Sequence, residues 1–291
     1  MLRPYAGAAD LRRMQAALSA RFGRGVDHPG DLGWAMRGQS HLEASSMVTL
    51  VESRDGTLQG WTWFHPHGSF DAIAVVDDDA VPEVLVQIAF DTAAGMTAHG
   101  DALDSLRTLC SDNDPALASA LQQAGFTAIE RDLEVTRRSL AGLEDPVLSD
   151  GFTFSAVDDT LVHERVEAHR AAFAPSVLHI AGFRRVRRTW PYRADLDRVA
   201  LAPDGRVASS CLAWYDDTNG WGLLEPVGTR PEFQRRGLAA AVCLDALHHL
   251  RDAGAHSAQV GCESGSAGCA TYHSIGFTTV RRLQTHSRAL P

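Results

Sequence analysis

The sequence contains no lysine; all 27 of its basic side chains are arginine. A lysine Schiff base and a lysine general base are therefore outside its chemistry. Cysteine is scarce, with five widely spaced residues in 291. That odd number makes no disulfide framework, and a reducing cytoplasm is the expected setting. No apolar run approaches the roughly 20 residues of a membrane helix. The opening Met1-Leu2-Arg3-Pro4-Tyr5-Ala6-Gly7 lacks the apolar core of a signal peptide. A basic surplus is missing too: 36 acidic residues leave a net charge of −9, which argues against nucleic-acid phosphates as a partner. What remains is a globular composition, 45% hydrophobic and 22% charged, in a length that suits two domains or one large one.

Two landmarks recur. Met47 to Glu52 reads as a strand, Asp55-Gly56 as a turn, and Leu58 to Phe64 as a second strand. Val199 to Ala202, Asp204-Gly205 and Val207 to Tyr215 repeat that order 149 positions on, followed by an Asn219-Gly220 hairpin turn. A short helix over Ala118 to Ala124 ends in Gly125-Phe126-Thr127, and another over Ala270 to Ile275 ends in Gly276-Phe277-Thr278, 151 positions on. In each, glycine suits a helix C-cap and phenylalanine opens the next strand inside the core. The spacing predicts a tandem duplication of mixed α/β class: domains at 1–140 and 150–291, each a mostly antiparallel sheet flanked by helices. Leu140 to Asp150 is the expected linker. In the second half a strand at Phe152 to Phe154 and helices over Thr160 to Phe173 and Val177 to Arg188 precede the repeat. A longer helix over Gly237 to Ala253 and a strand at Ala258 to Cys262 follow it.

One stretch carries chemistry. The apolar strand Leu223-Leu224-Glu225-Pro226-Val227-Gly228-Thr229 leads to the tight turn Gln234-Arg235-Arg236-Gly237, and an alanine-rich helix begins at once. A helix N-terminus presents about four unpaired backbone N–H groups and a partial positive charge. Gly237 removes a Cβ from the approach, Ala239 keeps the next turn small, and Arg235 and Arg236 add fixed charge. This is a socket for a pyrophosphate. It is neither a Walker loop nor the dinucleotide glycine pattern.

The order strand, Gln234-Arg235-Arg236-Gly237-Leu238-Ala239, helix, strand, Tyr272, Gly276-Phe277 resembles the GCN5-related N-acetyltransferase superfamily over roughly Val199 to Arg288, and more weakly over the first half. The tandem arrangement is similar to that of mycothiol synthase-like proteins. The resemblance implies that the acyl-CoA phosphates sit on the turn amides Arg235, Arg236, Gly237, Leu238, Ala239 and Ala240, beside Gln234. It implies that the pantetheine arm pairs with Val227-Gly228-Thr229. That pairing needs the strand to splay from its neighbour, and Pro226, which cannot donate to a ladder, fits a bulge there. In the splayed gap a backbone N–H would hold the acyl carbonyl.

The resemblance also places a tyrosine where Tyr272 stands, as general acid to the leaving thiolate; packing with a wet hydroxyl is the alternative. Glu225 is the base candidate. A carboxylate facing the cleft among Trp221, Leu223 and Leu224 would have a raised pKa, against the alternative of a solvated strand-end glutamate. The asparagine many members carry about seven residues before the tyrosine is absent. Gly265 falls there, with Ser264 or Ser266 as substitutes.

The first half has the frame without the socket. After its strand Asp71 to Val76, Asp77-Asp78-Asp79 stand where turn amides and arginines belong, and they repel a pyrophosphate. Its helix is expected over Val84 to Thr97. Thirteen histidines do not make a metal site: His65-Pro66-His67 reads as a loop, His248 and His249 point to different faces, and Cys262, Cys269 and His273 lack ligand spacing. Cys262 reads as a core strand residue. Trp190-Pro191-Tyr192, Phe183 and Trp214 either wall the acceptor or pack the core. Arg184-Arg185-Val186-Arg187-Arg188 is either a solvated helix face or an anion contact.

The expected activity is direct transfer of an acetyl group from acetyl-CoA to an acceptor amine, a small molecule before a protein, with no metal. A non-catalytic acyl-CoA sensor or scaffold is the alternative, and a protein-interaction module is the third reading. Nucleic acid and membrane are not expected partners; a homodimer is compatible. Calorimetric titration with coenzyme A is expected to give one site per chain; two would overturn the assignment of the socket to the second half alone.

Overall fold

The structure, a computed structural model, describes residues 1–24, 27–38, 47–98 and 103–290. The first elements in chain order are β1 (Leu2–Pro4), α1 (Ala8–Ala20), α2 (Pro29–Gly38), β2 (Val48–Glu52), β3 (Leu58–Phe64) and β4 (Phe70–Ala74). Then come α3 (Ala80–Ala98), β5 (Ser105–Ser111), α4 (Pro115–Gln123), β6 (Thr127–Ser139) and β7 (Thr153–Ala156). They are followed by α5 (Val162–Ala172), α6 (Ile180–Val186), β8 (Asp197–Leu201), β9 (Val207–Asp216) and β10 (Trp221–Thr229). The chain closes with α7 (Leu238–Asp252), β11 (Ser257–Glu263), α8 (Ala267–Ser274) and β12 (Thr278–Ala289). This is the mixed α/β class expected from the repeat. Among the described residues no helix is long and apolar enough to cross a membrane.

Two compact units form, and neither is continuous in sequence. The first is Met1–Val26, Leu42–Glu134 and Arg281–Pro291; the second is Asp27–His41 and Val135–Val280. Drawn by recurrence, the domains run 1–140 and 150–291; drawn by contact, three segments change sides. Asp27–His41 and the end of β6 lie in the second unit, and Arg281–Pro291 lies in the first.

In the first unit β1-β2-β3-β4 form an antiparallel sheet. The end of β12 pairs antiparallel with β5, from Leu283↔Ser111 to Ala289↔Ser105. Phe64, Phe70, Leu85, Ala89, Leu106, Leu121 and Phe126 fill this unit's core. Gly125 and Gly276 both sit in the left-handed region, at φ 77° and 85°. Each ends a short helix without the steric penalty a side chain would carry there, and Phe126 and Phe277 after them are buried.

The second unit holds the strand order β6-β11-β10-β9-β8-β7. The pairs β7–β8, β8–β9 and β9–β10 are antiparallel, and β10–β11 is parallel. Both faces are covered, so every residue of β9 is buried. Successive strand side chains point to opposite faces: Leu224 joins Val242, Leu247 and Val260 on the α7 side, while Leu223 joins Val166, Phe183 and Leu212 on the α5 and α6 side.

Helix α2 reaches this second face from far upstream and is tied to it in two ways. Gly30 Nα–H donates to His28 Nδ1 at 2.9 Å, so the proton of the buried His28 ring sits on Nε2, 3.3 Å from the Trp221 carbonyl oxygen. Burial holds this imidazole down to about 4, neutral at physiological pH. Gly30 also lies flat on Trp214: a Cβ there would sit 2.4 Å from Trp214 Cβ and Cγ, which have no room to retreat. Gly30→Ala is therefore expected to destabilise the second unit by about 1–3 kcal/mol, read as a lowered denaturant midpoint. An unchanged midpoint would mean that α2 is not seated on Trp214.

Candidate active site

The site begins with one extra residue in β10. Leu224 pairs with Ala213 and Val227 with Cys211, so β10 advances three residues while β9 advances two. Glu225 and Pro226 together stand opposite the single Leu212, a bulge of the kind that bends a strand and re-aims a side chain. Trp214 Nε1 donates to the Glu225 carbonyl oxygen at 2.7 Å and pins the bulge from a fully buried indole. On the other edge, the parallel pairing with β11 runs only from Trp221↔Ser257 to Leu223↔Gln259. Beyond Leu223 the edge of β10 facing β11 has no strand partner among the described residues, and Val227, Gly228 and Thr229 lie along that opening. Gly228 serves packing as well: a Cβ there would meet the Phe173 ring at 2.7 Å and Ala172 Cβ at 2.9 Å.

After β10 the chain turns through Pro231–Phe233 into the Gln234–Gly237 turn. Gln234 Nε2 donates to the Thr229 carbonyl oxygen at 3.3 Å. Arg235 takes φ 63° and Gly237 φ 74°, so the turn coils tightly, with Gln234, Arg235, Arg236 and Gly237 exposed. Among the described residues no side chain caps α7, and none lies within 4 Å of where a Gly237 Cβ would be. The amides of Leu238, Ala239 and Ala240 open the helix into this space, beside two arginines. A diphosphate fits such a terminus in both charge and room.

Glu225 lines a cavity of about 320 Å³ with Trp34, His169, Phe173, Leu178 and Pro226. Trp221, Leu223 and Leu224, its expected neighbours in the cleft, are packed into the core instead. Burial alone pushes the Glu225 carboxyl up to about 7. Tyr272 lies on α8, nearly buried, its ring edge-on to Phe277 at 6.1 Å. Burial raises its phenol far above the usual range, and the Cys243, Glu225 and Cys211 groups raise it further. Tyr272 thus stays protonated at all working pH and lies close enough to Glu225 to feel its charge.

Cys262 and Cys269 are joined by a disulfide, their Cα atoms 5.3 Å apart. This corrects two expectations: the cysteines do pair, and Cys262 is a half-buried strand-end residue rather than core. Cysteine usage therefore gives no support to a reducing compartment. The pair failed to register in the sequence because a strand–turn–helix brings two residues seven apart into bonding range only once folded. The bridge closes the loop holding Gly265, at φ 75°. Within it Ser266 Oγ accepts from Cys269 N at 3.1 Å and caps α8, while Ser264 Oγ is buried with no partner.

The aromatics picked out in the sequence do not line this cavity; Phe183 and Trp214 are core residues. Phe183 is fully buried beneath the Arg165 guanidinium, 5.4 Å from its ring. Tyr192 Oη donates to Asp197 at 3.2 Å. The walls come from Trp34, His169 and Phe173 instead. Periodicity could have marked His169 and Phe173, four apart on one helix face; Trp34, nearly two hundred residues upstream of Glu225, left no signal. Arg184, Arg187 and Arg188 line a different cavity, with Asp159 and Tyr192.

The first unit's counterpart helix terminus is filled by its own chain. Asp78 Oδ1 accepts from Ala80 N at 3.0 Å at the start of α3, and Asp77 is paired with Arg21 and Arg24.

Because the carboxyl of Glu225 is raised from 4.5 to about 7, the folded protein holds that proton more tightly than the unfolded chain. Stability attached to this group is complete below about 4.5 and declines as pH rises through about 7. Glu225→Gln is expected to stabilise by about 1–3 kcal/mol at pH 8 and little at pH 5, read by thermal melts at both values. Equal shifts at the two pH values would place the carboxylate in water.

A model of the FR47-like protein family matches residues 205–286. No curated protein matches the chain in sequence. Among solved structures, a GCN5-related N-acetyltransferase from Sphaerobacter thermophilus superposes with a TM-score of 0.68 at 17% identity, covering 99% of this chain and 95% of that one. A tandem GNAT protein from the clavulanic acid biosynthesis pathway gives 0.65 at 12%, covering 99% and 98%. A GNAT-family acetyltransferase from Colwellia psychrerythraea gives 0.62 at 12%, covering 99% of each. Over its whole length the chain has the fold of the GCN5-related N-acetyltransferases, in the tandem arrangement, with the FR47-like segment in its second half.

Proposed function

We propose that the chain is an acetyl-CoA-dependent N-acetyltransferase acting on a small amine, with its acyl-CoA site in the second unit. One coincidence carries this reading: the open edge of β10 beyond Leu223 leads directly to the uncapped terminus of α7. An extended thioester needs a strand edge for its pantetheine amides and a cluster of N–H donors for its diphosphate. Here the two lie in succession along one stretch of chain. The amides of Arg235 to Ala240 would hold the diphosphate, with Arg235 and Arg236 supplying charge, and Val227 to Thr229 would pair with the arm. The unsatisfied Ser264 Oγ offers a further hydrogen bond where an asparagine is missing.

In this reading the acceptor nitrogen attacks the acyl carbon. A C–N bond forms and the C–S bond breaks. Glu225, with a carboxyl near 7, is matched to take the amine proton at neutral pH. Tyr272 keeps its proton and gives it to the departing sulfur; bulk water later restores it. The small volume of the cavity at Glu225, about 320 Å³, supports a small acceptor over a protein. The first unit, with Asp78 on its own helix terminus, sets a carboxylate where a diphosphate would bind and repels it.

Steady-state kinetics of thiol release test this. Activity is expected to climb with pH up to about 7 and then level off, a limb that Glu225→Gln abolishes. Tyr272→Phe is expected to lower kcat by roughly 10- to 100-fold while leaving acetyl-CoA affinity unchanged. Full activity in Tyr272→Phe would remove the acid role. Tight acetyl-CoA binding without transfer to any amine would make the chain a sensor.

A further inference from the structure

The cavity at Glu225 has a chemistry of its own that selects among amines. Three flat rings form its side: Trp34 meets His169 edge-on at 5.1 Å, and His169 lies 4.6 Å from Phe173. Leu178 and Pro226 add apolar surface, and among the described residues Glu225 is the one acidic side chain on the wall and no arginine lines it. The His169 imidazole is held neutral: burial, then the Arg165 charge, drives it down to about 3. His169 is 7% exposed, and its Nδ1 has no hydrogen-bond partner among the described residues. Hydrogen-bonding capacity thus remains unspent beside the cavity.

These walls set two opposite rules for a ligand. A cationic nitrogen is drawn in by the Glu225 carboxylate and by the negative faces of the rings. A carboxylate on the same molecule would be desolvated against Glu225 with no countercharge, which is strongly unfavourable. The volume, about 320 Å³, lies at the small end for ligand cavities and has room for one ring and a short arm. Trp34 is not on a mobile loop. It stands on α2, which His28 and Gly30 fasten to the β9–β10 face, so its ring is positioned before any ligand arrives.

We propose that the acceptor is a primary amine on a compact aromatic body without a carboxylate, its ring against Trp34 and Phe173 and its nitrogen at Glu225. Trp34 is then a specificity-determining residue supplied by a distant stretch of sequence. The assignment rests on the reading of this cavity as the acceptor site of the transferase.

A matched pair of probes tests it: 2-phenylethylamine and phenylalanine, which differ by one carboxylate. Both are titrated calorimetrically into the full chain, without and with coenzyme A, and both are assayed for thiol release from acetyl-CoA. The amine is expected to bind about tenfold or more tightly than phenylalanine even without coenzyme A, and to be the better substrate by a similar factor in kcat/KM. Trp34→Ala is expected to weaken amine binding about tenfold with coenzyme A affinity unchanged, and Trp34→Phe to restore most of it. The unchanged coenzyme A affinity also shows that the variant is folded. Equal binding of the two probes, or amine binding indifferent to Trp34→Ala, overturns the proposal. Selective amine binding without thiol release removes the transferase reading, and with it the acceptor role, and leaves the cavity as an aromatic-amine binding site. Transfer to amines with no preference for the aromatic one removes the proposal and leaves the transferase reading standing.

Discussion

The whole candidate site depends on a single surplus residue in β10. Were β10 in register with β9 throughout, Glu225 would be one more alternating side chain and the strand could continue alongside β11. The slip between Leu224 and Val227 instead bends the strand where its parallel pairing ends, frees one edge, and turns Glu225 into a cavity. A proline at the bulge removes the N–H that a regular ladder would demand. Trp214 fastens the displaced carbonyl with its indole N–H. That bond matters because a buried carbonyl pushed out of a ladder would otherwise be left unsatisfied.

The two helix termini that follow the equivalent strands show how one frame can hold opposite electrostatics. At α3 the chain supplies its own anion, since Asp78 accepts the first amide and Asp77 is neutralised by two arginines. At α7 there is no side-chain cap, and a left-handed Gly237 leaves the approach open. An intrinsic cap stabilises its helix permanently; an open terminus leaves the same donors to a ligand. The electrostatic difference rests on a few residues in each turn.

Assembly of the second unit draws on chain from far outside the motif. Helix α2 lies almost two hundred residues before Glu225, yet it brings Trp34 to the cavity, secured by a neutral, buried His28 and by a glycine pressed onto Trp214. The end of β6 joins the same unit, as Thr136 Oγ1 donating to the Val260 carbonyl oxygen illustrates. A cavity wall made of remote segments can vary in sequence without disturbing the bulged strand and the turn that follows it.

Local chemistry was legible in the residues themselves. Glycine after a tight turn, proline at a strand bulge, and the Gly-Phe-Thr repeat each express a backbone requirement within a few positions, so the mixed α/β fold, the Gly237 turn and the bend at Pro226 could be read directly. The Cys262–Cys269 bridge, the exchange of β6 and β12 between units, and the Trp34, His169 and Phe173 walls could not. Each depends on which distant surfaces meet, and a strand or helix carries the same periodic pattern whichever partner it finally packs against. Sequence by itself determined where backbone donors would be exposed and which way single strands would bend. Tertiary structure alone decided what surrounds Glu225, because desolvation and cavity shape belong to the assembled neighbours and not to the residue.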